Sequence, residues 1–213
     1  MSNYKTVFFI LGVLQIILGL SMIVPIMAQF YYNQVDSGFI GSGLVSIIFG
    51  VLFFLSNLDY EKKLTLPQAF LLTALSWLSI AIFGSLPFVF SDLSLSFTNA
   101  FFESMSGITT TGSTILTNLN ETPKAILLWR AMLQWLGGIG IIVMAITLMP
   151  IMNIGGMQLF VISNTHTPEK ILPKSKEISI RLIAIYSSLT LVCAFFYKIF
   201  GMSFFDSIVH SMT

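Results

Sequence analysis

Apolar residues run almost without interruption through five stretches of the chain: Val7 to Ala28, Gly38 to Asn57, Gln68 to Phe90, Ala125 to Met149 and Ile178 to Phe200. As a helix, each is long enough to cross about 30 Å of hydrocarbon while satisfying its own backbone. The pattern therefore predicts five transmembrane helices. The first exceeds the apolar core of a signal peptide and reads as a helix that stays in the bilayer. Between the third and fourth stretches lies a connection of another kind, Ser91 to Lys124. Within it "SFTNAFFESM" (Ser96 to Met105) is apolar on one helical face but too short to span. "SGITTTGST" (106–114) follows, with four threonines, two serines and two glycines.

Composition agrees with the pattern. Of 213 residues 55% are hydrophobic and 9% charged, with a mean hydropathy of +0.90, values foreign to soluble domains. This is an all-α integral membrane protein. A net charge of +1 without a basic cluster leaves no footing for nucleic acid. Seven of the ten basic residues fall on one side of the predicted spans: Lys5, Lys62, Lys63, Lys170, Lys174, Lys176 and Arg181. The positive-inside rule then places the N-terminus, the 58–67 loop and the 151–177 loop in the cytoplasm. Gln29 to Ser37 and the 91–124 connection lie outside. Both ends of that connection being outside, it either enters the membrane and returns or stays out.

A short helix followed by Thr- and Gly-rich backbone has the form of a re-entrant loop, since irregular backbone is allowed at membrane depth only where it is buried in protein or lines a watery cavity. A permeating cation exchanges its hydration shell for oxygens, which a ring of backbone carbonyls supplies without fixed charge. Gly112 can take the positive φ that turns carbonyls toward an axis. Thr109, Thr110, Thr111, Ser113 and Thr114 add hydroxyls. Composition alone leaves open the alternative of an extracellular turn.

"FFES" (Phe101 to Ser104) returns as "FFDS" (Phe204 to Ser207), each beyond the end of an apolar helix, so the order of helix, short amphipathic segment and polar loop starts twice. "FFESMSGITTTGSTIL" followed by "AILLWRAMLQWLGGIGIIVMAITLMPIMNIGGMQLF" resembles the Trk/Ktr/HKT potassium-transporter superfamily, in particular its bacterial TrkH branch. "GMSFFDSIVHSMT" resembles the start of that family's second pore helix. The resemblance implies four helix, pore-loop, helix repeats around one pore, with two additional helices in front. Mapped here, residues 1–65 are the additional pair, 66–150 the first repeat, 151–177 a cytoplasmic connection and 178–213 the start of a second repeat that lacks its filter. The chain thus reads as the N-terminal part of a longer protein.

The same resemblance makes Thr109, Thr110, Thr111, Gly112 and Ser113 the first filter strand. Gly112 takes the family's filter-glycine position, and K+ is the transported ion at Thr110, Thr111 and Gly112. It implies potassium uptake across the bacterial inner membrane, a homodimer, and a cytosolic nucleotide-binding regulatory subunit (TrkA-like) meeting the basic stretch from His166 to Lys176. No organic cofactor is implied. The competing functions are a Na+ or non-selective monovalent cation transporter and a non-conducting membrane scaffold or remnant.

Glu103, three residues before the polar loop, either concentrates cations or braces the filter by accepting backbone hydrogen bonds. Asp206 is its counterpart in the echo. Arg130 either snorkels to the headgroups or pairs with Glu121 or Glu103 as filter support. Trp129 and Trp135 suit the interfacial belt or a contact on the short helix. "LGGIG" (136–140) reads as a hinge or as a site of close helix packing. Pro150 is expected to end its helix and Gly155–Gly156 to form a turn. Cys193 reads as a buried hydrophobe, and Lys198 as a snorkelling anchor. His166 and His210 have no neighbours at metal-ligand spacing. Paired acids, a His/Glu metal motif and a Ser/His couple are missing from the spans, which argues against an enzyme.

Overall fold

The structure, a computed structural model, describes residues 4–34, 36–60, 64–93, 95–119, 121–152 and 171–213; at 66, 145–152 and 171–176 it describes the backbone alone. The described residues form eight helices and no strand. They fall into two compact units, residues 1–137 and residues 138–212. Five helical stretches are long and apolar enough to cross a membrane.

In the first unit the predicted first span is two helices, α1 (Lys5–Ser21) and α2 (Ile23–Tyr31). The break at Met22 follows from Pro25. Proline has no N–H for the Ser21 carbonyl four residues earlier, and its ring crowds that oxygen. α3 (Gly38–Ser56) packs along α1 through small residues. A Cβ on Gly12 would lie 2.7 Å from the Gly50 carbonyl oxygen, and one on Gly50 would lie 2.9 Å from that of Gly12. The two backbones are therefore in contact, as small residues permit in membranes. Gly12, Gln15, Gly19, Ser42, Ser46 and Gly50 face inward, while Ile17, Leu20, Leu44 and Ile48 face outward. Large apolar residues outside and small ones inside is the arrangement expected where the surroundings are lipid. Gln15 also reaches the next span, its Nε2 donating to Ser79 Oγ at 2.5 Å.

α4 (Leu66–Phe90) starts at a T-L-P-Q signal: the Thr65 N–H donates to Gln68 Oε1 at 2.8 Å and Pro67 occupies the first turn. α5 (Phe97–Ile108) is the short helix expected before the polar loop, begun by Ser96 Oγ accepting from the Asn99 N–H. α6 (Lys124–Met152) leads out of this unit. It runs through Pro150 for two more residues, so the expectation that Pro150 ends it is corrected. A proline withholds one N–H from the ladder, which weakens or bends a helix without obliging the residues after it to leave helical backbone.

In the second unit the latter half of α6 is followed by α7 (Ile171–Ile199) and α8 (Phe204–Met212). Among the described residues the backbone is already helical at Ile171, seven residues before the predicted start at Ile178. Gly138 lies under Tyr186, whose Oη is 2.7 Å from where a glycine Cβ would be. Gly201, at φ +100°, closes α7: its N–H donates to the Lys198 carbonyl and that of Met202 to the Tyr197 carbonyl. This is the Schellman arrangement that glycine favours. Cys193 is half-buried on α7. Lys62, Lys63, Gly155, Gly156, His166 and Lys170 lie outside the described residues.

Candidate functional site

α5 ends as α7 does, with one difference of residue type. The Thr110 N–H donates to the Gly107 carbonyl at 2.9 Å and the Thr111 N–H to the Ser106 carbonyl at 3.0 Å. Thr110 takes the left-handed position, φ +56°. Asn33, at φ +52°, closes α2 in the same way. Asparagine and glycine suit that conformation; a β-branched threonine there is an outlier. Such strain persists only where the surroundings impose it, and it concentrates at functional sites. Two residues later Gly112 is again left-handed, φ +77°, and its N–H reaches the same Ser106 carbonyl at 3.4 Å.

These bonds fix the direction of the carbonyls. In a planar trans peptide the N–H points opposite to the preceding carbonyl. Because the N–H groups of Thr110, Thr111 and Gly112 all point back at the end of α5, the carbonyls of Thr109, Thr110 and Thr111 point away from it. Three successive oxygens thus leave the helix on one side of an exposed strand. Ser113 is turned the other way, its carbonyl accepting from Ser106 Oγ at 2.7 Å. The hydroxyls of Thr109 and Thr111 meet at 2.9 Å, and Thr109 Oγ1 also bonds the Met105 carbonyl at 2.7 Å. A Cβ on Gly112 would meet no atom within 4 Å, so its requirement for glycine in this chain is conformational.

Glu103 holds the far end of the loop. Its carboxylate is buried and accepts from Thr114 Oγ1 at 2.6 Å, from the Ile115 N–H at 2.5 Å and from Arg130 Nε at 2.7 Å. Of the two carboxylates considered for Arg130, Glu103 is the one it meets, and the Arg130 side chain is only 12% exposed. Charge-assisted bonds of this length are the strong kind. They tie the helix, the returning strand and α6 at one point, behind the outward-facing carbonyls.

α6 presses on the same helix through glycine. A Cβ on Gly137 would overlap the Ile108 carbonyl, and one on Gly107 would lie 3.0 Å from Leu133 Cβ. For Gly137, close packing is the geometry found. Trp129 is not a belt residue: its indole is fully buried, donates to the Gly84 carbonyl at 2.9 Å and sits edge-on to Phe39. Trp135 is half-buried. Sequence reasoning missed Ser106 and Gly84. The signal for Ser106 was its place three residues after Glu103 on one helical face; Gly84, inside a membrane-spanning stretch, gave none.

The echoed segment forms the helix α8, but Asp206 is placed differently from Glu103. It accepts from Ser203 Oγ at 2.7 Å, and its own N–H donates to that hydroxyl at 3.1 Å, an N-terminal cap. His210 is exposed in the last turn.

A half-length helix and an irregular strand bound back upon it, set in sequence between two membrane-spanning helices, define a pore-loop membrane protein of the multi-pass kind. The family model described as "TrkH: Cation transport protein" matches residues 6–212, and the chain belongs to that family. The chain is 38% identical over 205 residues to the Trk system potassium uptake protein TrkI of Halomonas elongata, covering 96% of this chain and 42% of that protein. To Trk system potassium uptake protein TrkH of Escherichia coli K12 it is 38% identical over 213 residues, covering 98% and 44%. The crystal structure of the potassium transporter TrkH from Vibrio parahaemolyticus superposes with a TM-score of 0.87 at 35% identity, covering 99% of this chain and 42% of that one. The chain thus spans about two fifths of the length of these relatives.

Proposed function

We propose that the chain supplies the first filter strand, and the supports behind it, of a Trk-type pore that takes K+ up across the bacterial inner membrane. The observation that carries this reading is the direction of the Thr109, Thr110 and Thr111 carbonyls, held away from α5 by three N–H bonds in a strand whose next residue is a left-handed glycine. Such a row is what a dehydrated monovalent cation requires from one quarter of a coordination ring. Thr110, Thr111 and Gly112 line the K+ position in this reading, with Ser113 closing the strand. Glu103 and Arg130 brace it without touching the ion. The protein is a transporter and not an enzyme.

Residues 1–65 are the additional helical pair, 66–150 the first repeat, 151–177 the connection and 178–213 the beginning of the second repeat. The N-terminus and the 151–177 connection lie in the cytoplasm, a reading supported by the seven basic residues on that side. The protein works as a homodimer, and the stretch from His166 to Lys176 receives a cytosolic nucleotide-binding subunit. The test is Gly112→Ser in the whole protein as its gene encodes it, with K+ and Na+ fluxes measured in liposomes. A left-handed serine costs about 1–2 kcal/mol, enough to rearrange the strand, and the K+/Na+ ratio falls. An unchanged ratio removes Gly112 from the filter.

A further inference from the structure

We infer that the Ser106 hydroxyl is a positioning group for ion selection: it holds the Ser113 carbonyl out of the coordinating row. Ser106 is buried in the last turn of α5, on the same face as Glu103. Its backbone carbonyl accepts from the N–H groups of Thr111 and Gly112, and its hydroxyl donates to the Ser113 carbonyl at 2.7 Å. Three consecutive strand residues are thereby tied to one helical residue. The first two ties use backbone and would survive a change of side chain. The third needs a hydroxyl, and it alone sets the sign of the Ser113 peptide.

Without that donor, the Ser113 carbonyl loses its protein partner and is free to turn toward water or a cation. The strand would then offer a fourth outward oxygen beside those of Thr109, Thr110 and Thr111. The number and field strength of coordinating carbonyls is one of the two means, beside cavity size, by which a carbonyl filter separates K+ from Na+. Glu103 cannot replace the tie, because its carboxylate accepts, from Thr114, Ile115 and Arg130, and has no hydrogen to donate to the Ser113 carbonyl. The echoed helix underlines the difference. Counting from Phe101 and from Phe204, the register of Ser106 is held in α8 by Val209, which has no donor. Of these two short helices, α5 alone carries the hydroxyl.

The inference rests on reading residues 109–113 as a filter strand, and the experiment separates the two. The whole protein as its gene encodes it is reconstituted in liposomes, and K+ and Na+ fluxes are measured for the unchanged protein, Gly112→Ser, Ser106→Ala and Ser106→Cys. The expected result is a K+/Na+ ratio lowered about fivefold in Ser106→Ala, the factor that matches one lost hydrogen bond. Ser106→Cys, with a weak donor, falls between Ser106→Ala and the unchanged protein. A lowered ratio in Gly112→Ser with an unchanged ratio in Ser106→Ala overturns the role of Ser106 and leaves the filter reading standing. A slower flux in Ser106→Ala at an unchanged ratio marks Ser106 as merely structural and also overturns it. Unchanged ratios in all three variants overturn both. If Ser106→Ala does not accumulate, Ser106→Cys decides: a lowered ratio supports the inference and an unchanged one refutes it.

Discussion

Replacing Glu103 by glutamine keeps the shape of the side chain and removes only its charge and one acceptor. Two of the three bonds can survive, since an amide oxygen in the place of Oε1 still accepts from Thr114 Oγ1 and the Ile115 N–H. The third cannot: an amide NH2 in the place of Oε2 faces Arg130 Nε, donor against donor. Breaking a buried pair by removing one partner costs about 3–5 kcal/mol. Arg130 keeps some contact with its surroundings at 12% exposure, which sets the expectation at the lower end, about 3 kcal/mol. Arg130→Gln should cost a similar amount, because it leaves the fully buried carboxylate without its cation. The double variant should lose much less than the sum, giving a coupling of about 2 kcal/mol or more. The assay is unfolding of the purified chain by denaturing detergent in mixed micelles, followed by tryptophan fluorescence. Single-variant losses that add to within about 0.5 kcal/mol would refute the account of Glu103 as the shared anchor of strand and α6.

Three further outcomes are expected. Gly137→Ala should destabilise the chain by about 1–3 kcal/mol in the same titration, because its Cβ would overlap the Ile108 carbonyl; an unaltered midpoint would mean that the helices do not touch there. Thr110→Gly should raise stability by up to about 1 kcal/mol, since it relieves a left-handed β-branched residue; a lowered midpoint would contradict the strain. Trp129→Phe should cost about 1 kcal/mol through the lost bond to the Gly84 carbonyl, read from the same midpoint, and a loss below about 0.3 kcal/mol would show that bond to be replaceable.

Most of the fold was legible because the bilayer imposes a length. All five predicted spans begin or end within two residues of an observed helix end at one terminus or both, as Gly38 and Phe90 do, while some opposite ends differ. The exceptions have local causes that a hydropathy pattern does not carry. The first span breaks at Met22 because Pro25 withholds one N–H, and α7 is already helical at Ile171, ahead of the apolar stretch. At the loop, Gly112 announced its positive φ by residue type, whereas Thr110 could not, since threonine rarely adopts it. Glu103 offered two roles in the sequence; the hydrogen bonds to Thr114, Ile115 and Arg130 place it behind the strand. Trp129 read as a belt residue or as a contact on the short helix, whereas its N–H finds a partner in the Gly84 carbonyl of α4. Partners distant in sequence are set by packing, and no single-chain pattern encodes them.

The central claim is that the carbonyls of Thr109, Thr110 and Thr111 face a permeating cation, and the most direct test is the anomalous scattering of Tl+ in crystals of the whole protein. Density on the side of the strand facing away from α5, level with the Thr110 and Thr111 carbonyls and displaced by K+ more readily than by Na+, is the predicted result. Density bound elsewhere, with none beside this strand, would contradict the claim.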